Sequence, residues 1–169
     1  MKAVLMSIQP KWCMKIARGE KTVEVRKTRP KIKTPFKVYI YMTAGDASYP
    51  VKIDGTPMIC HNNSGRSVIG EFVCDAITGL KCDNAYQAAY NRHIHTCLTD
   101  DEIMQYANNG KLYYWHISNL IIYDKPKELG EFRKPIYCHR GIARENCLGC
   151  WDCEITRPPQ SWCYVEELR

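Results

Sequence analysis

Four cysteines toward the C-terminus form the clearest chemical pattern in the chain, Cys138-x8-Cys147-x2-Cys150-x2-Cys153. Two consecutive C-x-x-C steps let thiolates converge on one tetrahedral ion across a tight turn, and Gly149 eases the chain reversal. Four thiolates close the coordination sphere, so the expected Zn2+ is structural and ties down a stretch with little core of its own. Two other readings stay open at this point. The same spacing suits an iron–sulfur cluster, and the four can also be free thiols. His139 stands beside Cys138 as an alternative fourth ligand.

A second pattern is the run Glu20-Lys-Thr-Val-Glu-Val-Arg26, which alternates like a strand. Val23 and Val25 point one way, and Thr22, Glu24 and Arg26 the other. The run lies in a strongly basic region. Residues 1–40 hold eleven Lys or Arg against Glu20 and Glu24, whereas residues 41–169 hold thirteen basic and sixteen acidic residues. A one-sided positive field favours a polyanionic partner, most simply nucleic acid; a solubilising surface is the plainer alternative.

Stepping along the chain, residues 2–7 read as a first strand and Pro10 to Gly19 as a short helix, with Pro suited to its first turn and Gly to its stop. Trp12, Cys13, Ile16 and Ala17 share the apolar face of that helix, and Lys11, Lys15 and Arg18 the basic one. Residues 36–43, 68–77, 113–123 and 161–166 read as further strands, with Gly70 marking a bulge or close approach. Residues 45–66 read as a long loop or irregular hairpin, and 84–92 as a short helix. Thr99 and Glu102 fit the capping box of another helix that ends near Gly110. The expected architecture is α+β, about five or six strands with peripheral helices. The 169 residues form one domain, in which 134–157 is a Cys-rich, metal-binding insertion before the last strand.

Hydrophobic residues at 45% and charged residues at 25% exclude wholesale disorder, and no apolar run is long enough for a membrane helix. The short apolar N-terminus lacks the features of an export signal, so the expectation for the ten cysteines is a reducing cytoplasm, with free thiols and a metal site rather than disulfides.

Gly19-Glu-Lys21-Thr-Val-Glu24-Val-Arg26 matches the G-x-K-x-x-E-x-R signature of the ASCH domain, a branch of the PUA-like β-barrel superfamily. Six further stretches resemble the same family in chain order, in the variety common among phage and Firmicute sequences. They are Ser7–Pro10, Val38–Tyr41, Ile69–Phe72, Trp115–Ser118, Lys125–Leu129 and Pro158–Trp162. The resemblance implies a small PUA-like barrel with a cleft beside the first helix and the signature strand, receiving RNA or a nucleobase-like ligand. It places Lys21, Glu24 and Arg26 in that cleft, with Lys11, Lys15 and Arg18 as basic flank. Trp12 and Tyr41 are stacking candidates that can equally be core residues, and Glu71 is a candidate second carboxylate. Glu24 and Arg26 can present an acceptor and a planar donor fork to a base edge, or pair with each other.

Some small ASCH proteins resemble amidohydrolases of acylated cytidine and others ribonucleases. The amidohydrolase branch has a threonine nucleophile where this chain has Glu24, which removes that nucleophile. A hydrolase would then rest on Lys21 and Glu24 as an acid/base pair. A third reading is a phage interaction protein whose basic face docks an acidic host factor.

Overall fold

The computed structural model describes residues 1–45, 49–53, 56–60, 66–81, 94–135 and 154–168. The expected helix at 84–92 and the segment holding Cys138, Cys147, Cys150 and Cys153 lie outside these residues.

Ten strands are described: β1 (Lys2–Ile8), β2 (Val23–Arg26), β3 (Phe36–Met42), β4 (Tyr49–Ile53), β5 (Thr56–Cys60), β6 (Ser67–Cys74), β7 (Ile77–Lys81), β8 (Lys111–His116), β9 (Ser118–Lys127) and β10 (Trp162–Glu166). Two α-helices accompany them, α1 (Pro10–Ala17) and α2 (Asp100–Ala107). The main sheet has the order β10-β1-β3-β6-β9, a second sheet the order β2-β8-β7, and β4 and β5 pair as a hairpin.

β1 is buried from Ala3 to Ile8 because both faces of the main sheet are covered. Val4, Met6 and Ile8 join Val38, Ile40 and Met42 on the face packed against α1, with Cys13, Ile16 and Trp115. Ala3 and Leu5 join Tyr39 and Tyr41 on the other face, with Phe132, Ile155 and Val165. β1 and β3 run parallel, so the chain between them must cross over, and that crossover carries α1 and β2. α2 packs Ile103 and Ala107 on Val23, Val25, Leu112 and Tyr114, covering the outer face of the second sheet.

The helix ends follow the sequence signals. Pro10 is in the first turn of α1, and Gly19 takes φ +74° just past its end, a conformation that strains any side chain. Thr99 and Glu102 form the reciprocal capping box at the start of α2, with 2.8 and 3.2 Å hydrogen bonds. At Gly70, the registers of β6 with both β3 and β9 shift nearby, and a Cβ there would collide with the Ile121 carbonyl.

Two expectations need correction. The span 113–123 is two strands rather than one: the chain leaves the second sheet after His116 and enters the main sheet at Ser118, with Asn119 at φ 47°. The sheets are therefore joined by the covalent chain, and among the described strands no ladder closes them into the expected barrel. The physical reason lies at β2. Its outer edge is capped by a loop carbonyl and a lysine ammonium: the Thr22 and Val23 amides donate to His95 O at 3.0 and 3.3 Å, and Lys21 Nζ donates to Val23 O at 2.9 Å. No helix among the described residues is long and apolar enough to cross a membrane.

Candidate ligand cleft

Where the end of β1, the start of α1 and the free edge of β2 converge, they leave a cleft of about 380 Å3. Its floor is ionic. Lys21, Glu24 and Arg26 are buried, with side chains only 2%, 7% and 10% exposed. Alternation along β2 sends Val23 and Val25 into the core under α2 and leaves Glu24 and Arg26 on the opposite face. Glu24 Oε1 accepts from Arg26 Nη2 at 2.9 Å, and Glu24 Oε2 lies 3.3 Å from Lys21 Nζ. The triad carries a net charge of +1.

Each cation has a further structural job. Lys21 Nζ donates to Thr96 O at 2.6 Å and to Val23 O at 2.9 Å. With Glu24, that accounts for all three ammonium protons. Arg26 Nη2 donates to Ser7 O at 2.7 Å, and Nη1 reaches Ser161 Oγ at 3.4 Å. Arg26 Nε is buried and has no hydrogen-bond partner among the described residues. Ser7 is equally committed, its hydroxyl donating to Pro159 O at 2.6 Å and its amide to Ser161 O at 2.9 Å. The triad thereby fastens together β1, β2, the stretch before α2 and the approach to β10.

Two aromatic rings form walls. Trp12 is half-buried, with Lys11 Nζ 4.4 Å and Lys21 Nζ 5.2 Å from its ring. Tyr106 of α2 is 38% exposed and carries Lys27 Nζ 5.0 Å from its ring. Burial pushes the Tyr106 phenol up from its ordinary range, partly opposed by the nearby Arg26 charge and the Lys27 backbone. Behind the floor, burial and then the Glu24 carboxylate push the Cys13 thiol far up, so that sulfur is neutral and inert.

The structure thus brings Lys21, Glu24, Arg26 and Trp12 together, with Lys11 at the rim through Trp12. Lys15 and Arg18 do not line the cleft; each lies 3.9 Å from Glu20 on the exposed side of the helix. Tyr41 is not a cleft residue. Strand alternation puts it on the far face of the main sheet, packed with Leu5, Val68 and Phe132. Glu71 is on that side as well, 2.8 Å from Lys37 Nζ and accepting from the Tyr123 hydroxyl. Sequence reasoning missed Tyr106, Ser7 and Gln160. For the last two a signal existed, since the stretches Ser7–Pro10 and Pro158–Trp162 both resemble the family and meet here. For Tyr106 there was none beyond its place on a well-capped helix.

A buried ion pair that loses one partner leaves an uncompensated charge or unpaired carbonyls, whereas an exposed pair contributes little. Lys21→Met is therefore expected to lower unfolding stability by about 3 kcal/mol, and Glu20→Ala by no more than about 0.5 kcal/mol. Chemical denaturation of the two variants beside the wild type checks this contrast.

The comparisons agree with this architecture. The model of the ASCH domain matches residues 6–127. Crystal structures of the ASCH protein from Zymomonas mobilis superpose on the chain at 20% identity. The unmutated protein gives a TM-score of 0.56 over 98% of this chain and 88% of its own. One point mutant gives 0.61 over 99% and 92%, and a second gives 0.59 over 98% and 89%. At that identity the likeness speaks for the fold alone. No curated protein matches the sequence. With the family model spanning most of its length, signature strand included, the chain belongs to the ASCH domain family.

Proposed function

We propose that the cleft binds a nucleobase, carried by RNA or present as a modified nucleoside. The observation that carries this reading is the buried Glu24–Arg26 pair on the cleft floor, with Arg26 Nε lacking a partner among the described residues, set between the Trp12 and Tyr106 rings. Glu24 retains lone pairs for an exocyclic amine, Arg26 an N–H for a carbonyl, and the aromatic walls suit a flat ring. A cleft of about 380 Å3 is within the usual range for small-molecule sites. The net +1 charge admits a neutral base or an adjoining phosphate.

A polymer is favoured over a free nucleoside by the loop after β2. Lys27, Arg29, Lys31 and Lys33 are all exposed, and none forms an ion pair within the described residues. Lys27 meets the cleft at Tyr106, and Arg29, Lys31 and Lys33 line a neighbouring groove, a run that suits the phosphates of a strand whose base occupies the cleft. The saturated ammonium of Lys21 favours a positioning role for this residue over acid/base chemistry.

Tryptophan fluorescence titration with ribonucleosides and a short single-stranded RNA tests the reading. RNA binding is expected to weaken steeply from about 50 to 200 mM salt, and Arg26→Gln and Trp12→Leu each to weaken it about tenfold. Absence of RNA binding at low salt, or binding indifferent to both substitutions, contradicts the proposal. In the first case an acidic protein partner becomes the better reading. Turnover of RNA or an acylated nucleoside that disappears in Lys21→Ala makes the protein a hydrolase.

We also propose that Cys138, Cys147, Cys150 and Cys153 hold one structural zinc ion in a reducing cytoplasm, on the strength of their spacing. Elemental analysis of purified protein is expected to give one zinc per chain, lost in the Cys147→Ser/Cys150→Ser variant. Iron, or no metal, overturns the assignment.

A further inference from the structure

The ladder of the second sheet fixes which way each peptide group of β2 points. Ile117 N donates to Thr22 O at 2.9 Å, so the pair Thr22–Ile117 is hydrogen-bonded. On the other side, His116 N donates to Ala76 O at 3.0 Å, toward β7. In an antiparallel ladder the bonded and non-bonded pairs alternate. Trp115 and Tyr113 therefore bond to Glu24 and Arg26, while Tyr114 bonds to Thr78 on β7, leaving its β2 neighbour Val25 outside the ladder. The peptide N–H and C=O of Val25 point away from β8, out of the free edge of β2.

The same holds for Val23, two residues before, and it has partners: its amide donates to His95 O and its carbonyl accepts from Lys21. Val25 is only 5% exposed and lines the cleft, and no described residue donates to or accepts from its peptide groups. A buried peptide donor and acceptor without partners is costly. Here the two lie side by side on the cleft wall, flanked by Glu24 and Arg26.

We infer that the Val25 backbone is the recognition edge of the cleft: its N–H and C=O together take the hydrogen-bonding edge of a flat heterocycle that offers an acceptor next to a donor. This inference rests on the cleft reading above and specifies it. The ligand class is a nucleobase with its Watson–Crick edge free, hence an unpaired base. A sugar or phosphate alone does not fit. The Val25 N–H donates to a ring nitrogen or carbonyl, and the Val25 C=O accepts from the neighbouring N–H or amine. Glu24 and Arg26 then sort the bases by the next group along the edge.

The experiment uses the full-length protein, 15N-labelled, with the four ribonucleosides and their counterparts methylated on the Watson–Crick ring nitrogen, and a Val25 amide-to-ester variant made with the α-hydroxy analogue of valine. In the free protein, the Val25 amide is expected to exchange at least about tenfold faster than those of Glu24 and Arg26. A bound nucleoside shifts that amide and slows its exchange, ring methylation abolishes binding, and the ester weakens it about five- to tenfold. The ester lowers stability only modestly, because the N–H it removes belongs to no ladder and the Glu24 carbonyl, bonded to Trp115, is weakened as an acceptor but kept. A Val25 amide as protected as its neighbours, or a strongly destabilised ester, overturns the geometry. Nucleosides, or a short single-stranded RNA, that bind the ester as tightly as the wild type overturn the inference and leave the cleft reading standing, whereas a wild type that binds neither the nucleosides nor the RNA overturns both.

Discussion

The buried carboxylate of Glu24, shared between Lys21 and Arg26, is the interaction on which the cleft depends. Three ionised groups in an interior are tolerated only when nearly every proton and lone pair is satisfied. Here the satisfying groups are carbonyls of separate segments: Ser7 at the end of β1, Val23 on β2 and Thr96 before α2. The ions therefore tie the segments together as well as occupying the space between them. The apolar cores on either side set where the sheets lie, and the triad sets how the sheet ends meet. The opening left at that junction has charged groups at its base for the same reason.

That opening exists because the second sheet stops. Among the described residues, no strand lies beyond β2. A short loop and a lysine cap its beginning, and the stretch that follows borders the cleft. An exposed strand edge invites pairing with another chain. Burying this one in a cleft, with Trp12 and Tyr106 as walls, restricts what reaches it to something flat and small. Edge, ions and rings then describe one site, in which main-chain groups supply direction, the ions supply selectivity and the aromatics supply area.

Much of this was legible in the residues. The helix with Pro10 and Gly19, the capping box at Thr99, the close approach at Gly70 and the sorting of Val23 and Val25 from Glu24 and Arg26 all follow from local rules, and the structure keeps them. What was not legible depends on long-range placement. Tyr41 and Trp12 look alike as aromatics in apolar stretches. Only the sheet order puts one on the far face and the other at the cleft. The break at Ile117 is invisible in a run that has strand character throughout, because it is the change of partner sheet that ends β8. Lys21 read as a group able to reach a ligand, yet its neighbours hold it fully engaged. Val25 read as a core side chain, which it is. Its peptide group could not be oriented until the register with Tyr114 was known.

The side-chain Nε–Hε signal of Arg26, in a 15N–1H spectrum recorded as single-stranded RNA is added, reports whether a base reaches the floor of the cleft. A buried, ion-paired guanidinium whose Nε has no partner among the described residues gives a distinct resonance in the free protein, and that resonance is expected to shift and gain exchange protection as the RNA saturates. An Arg26 signal that stays in place while the RNA binds and perturbs only surfaces remote from Glu24 would contradict it.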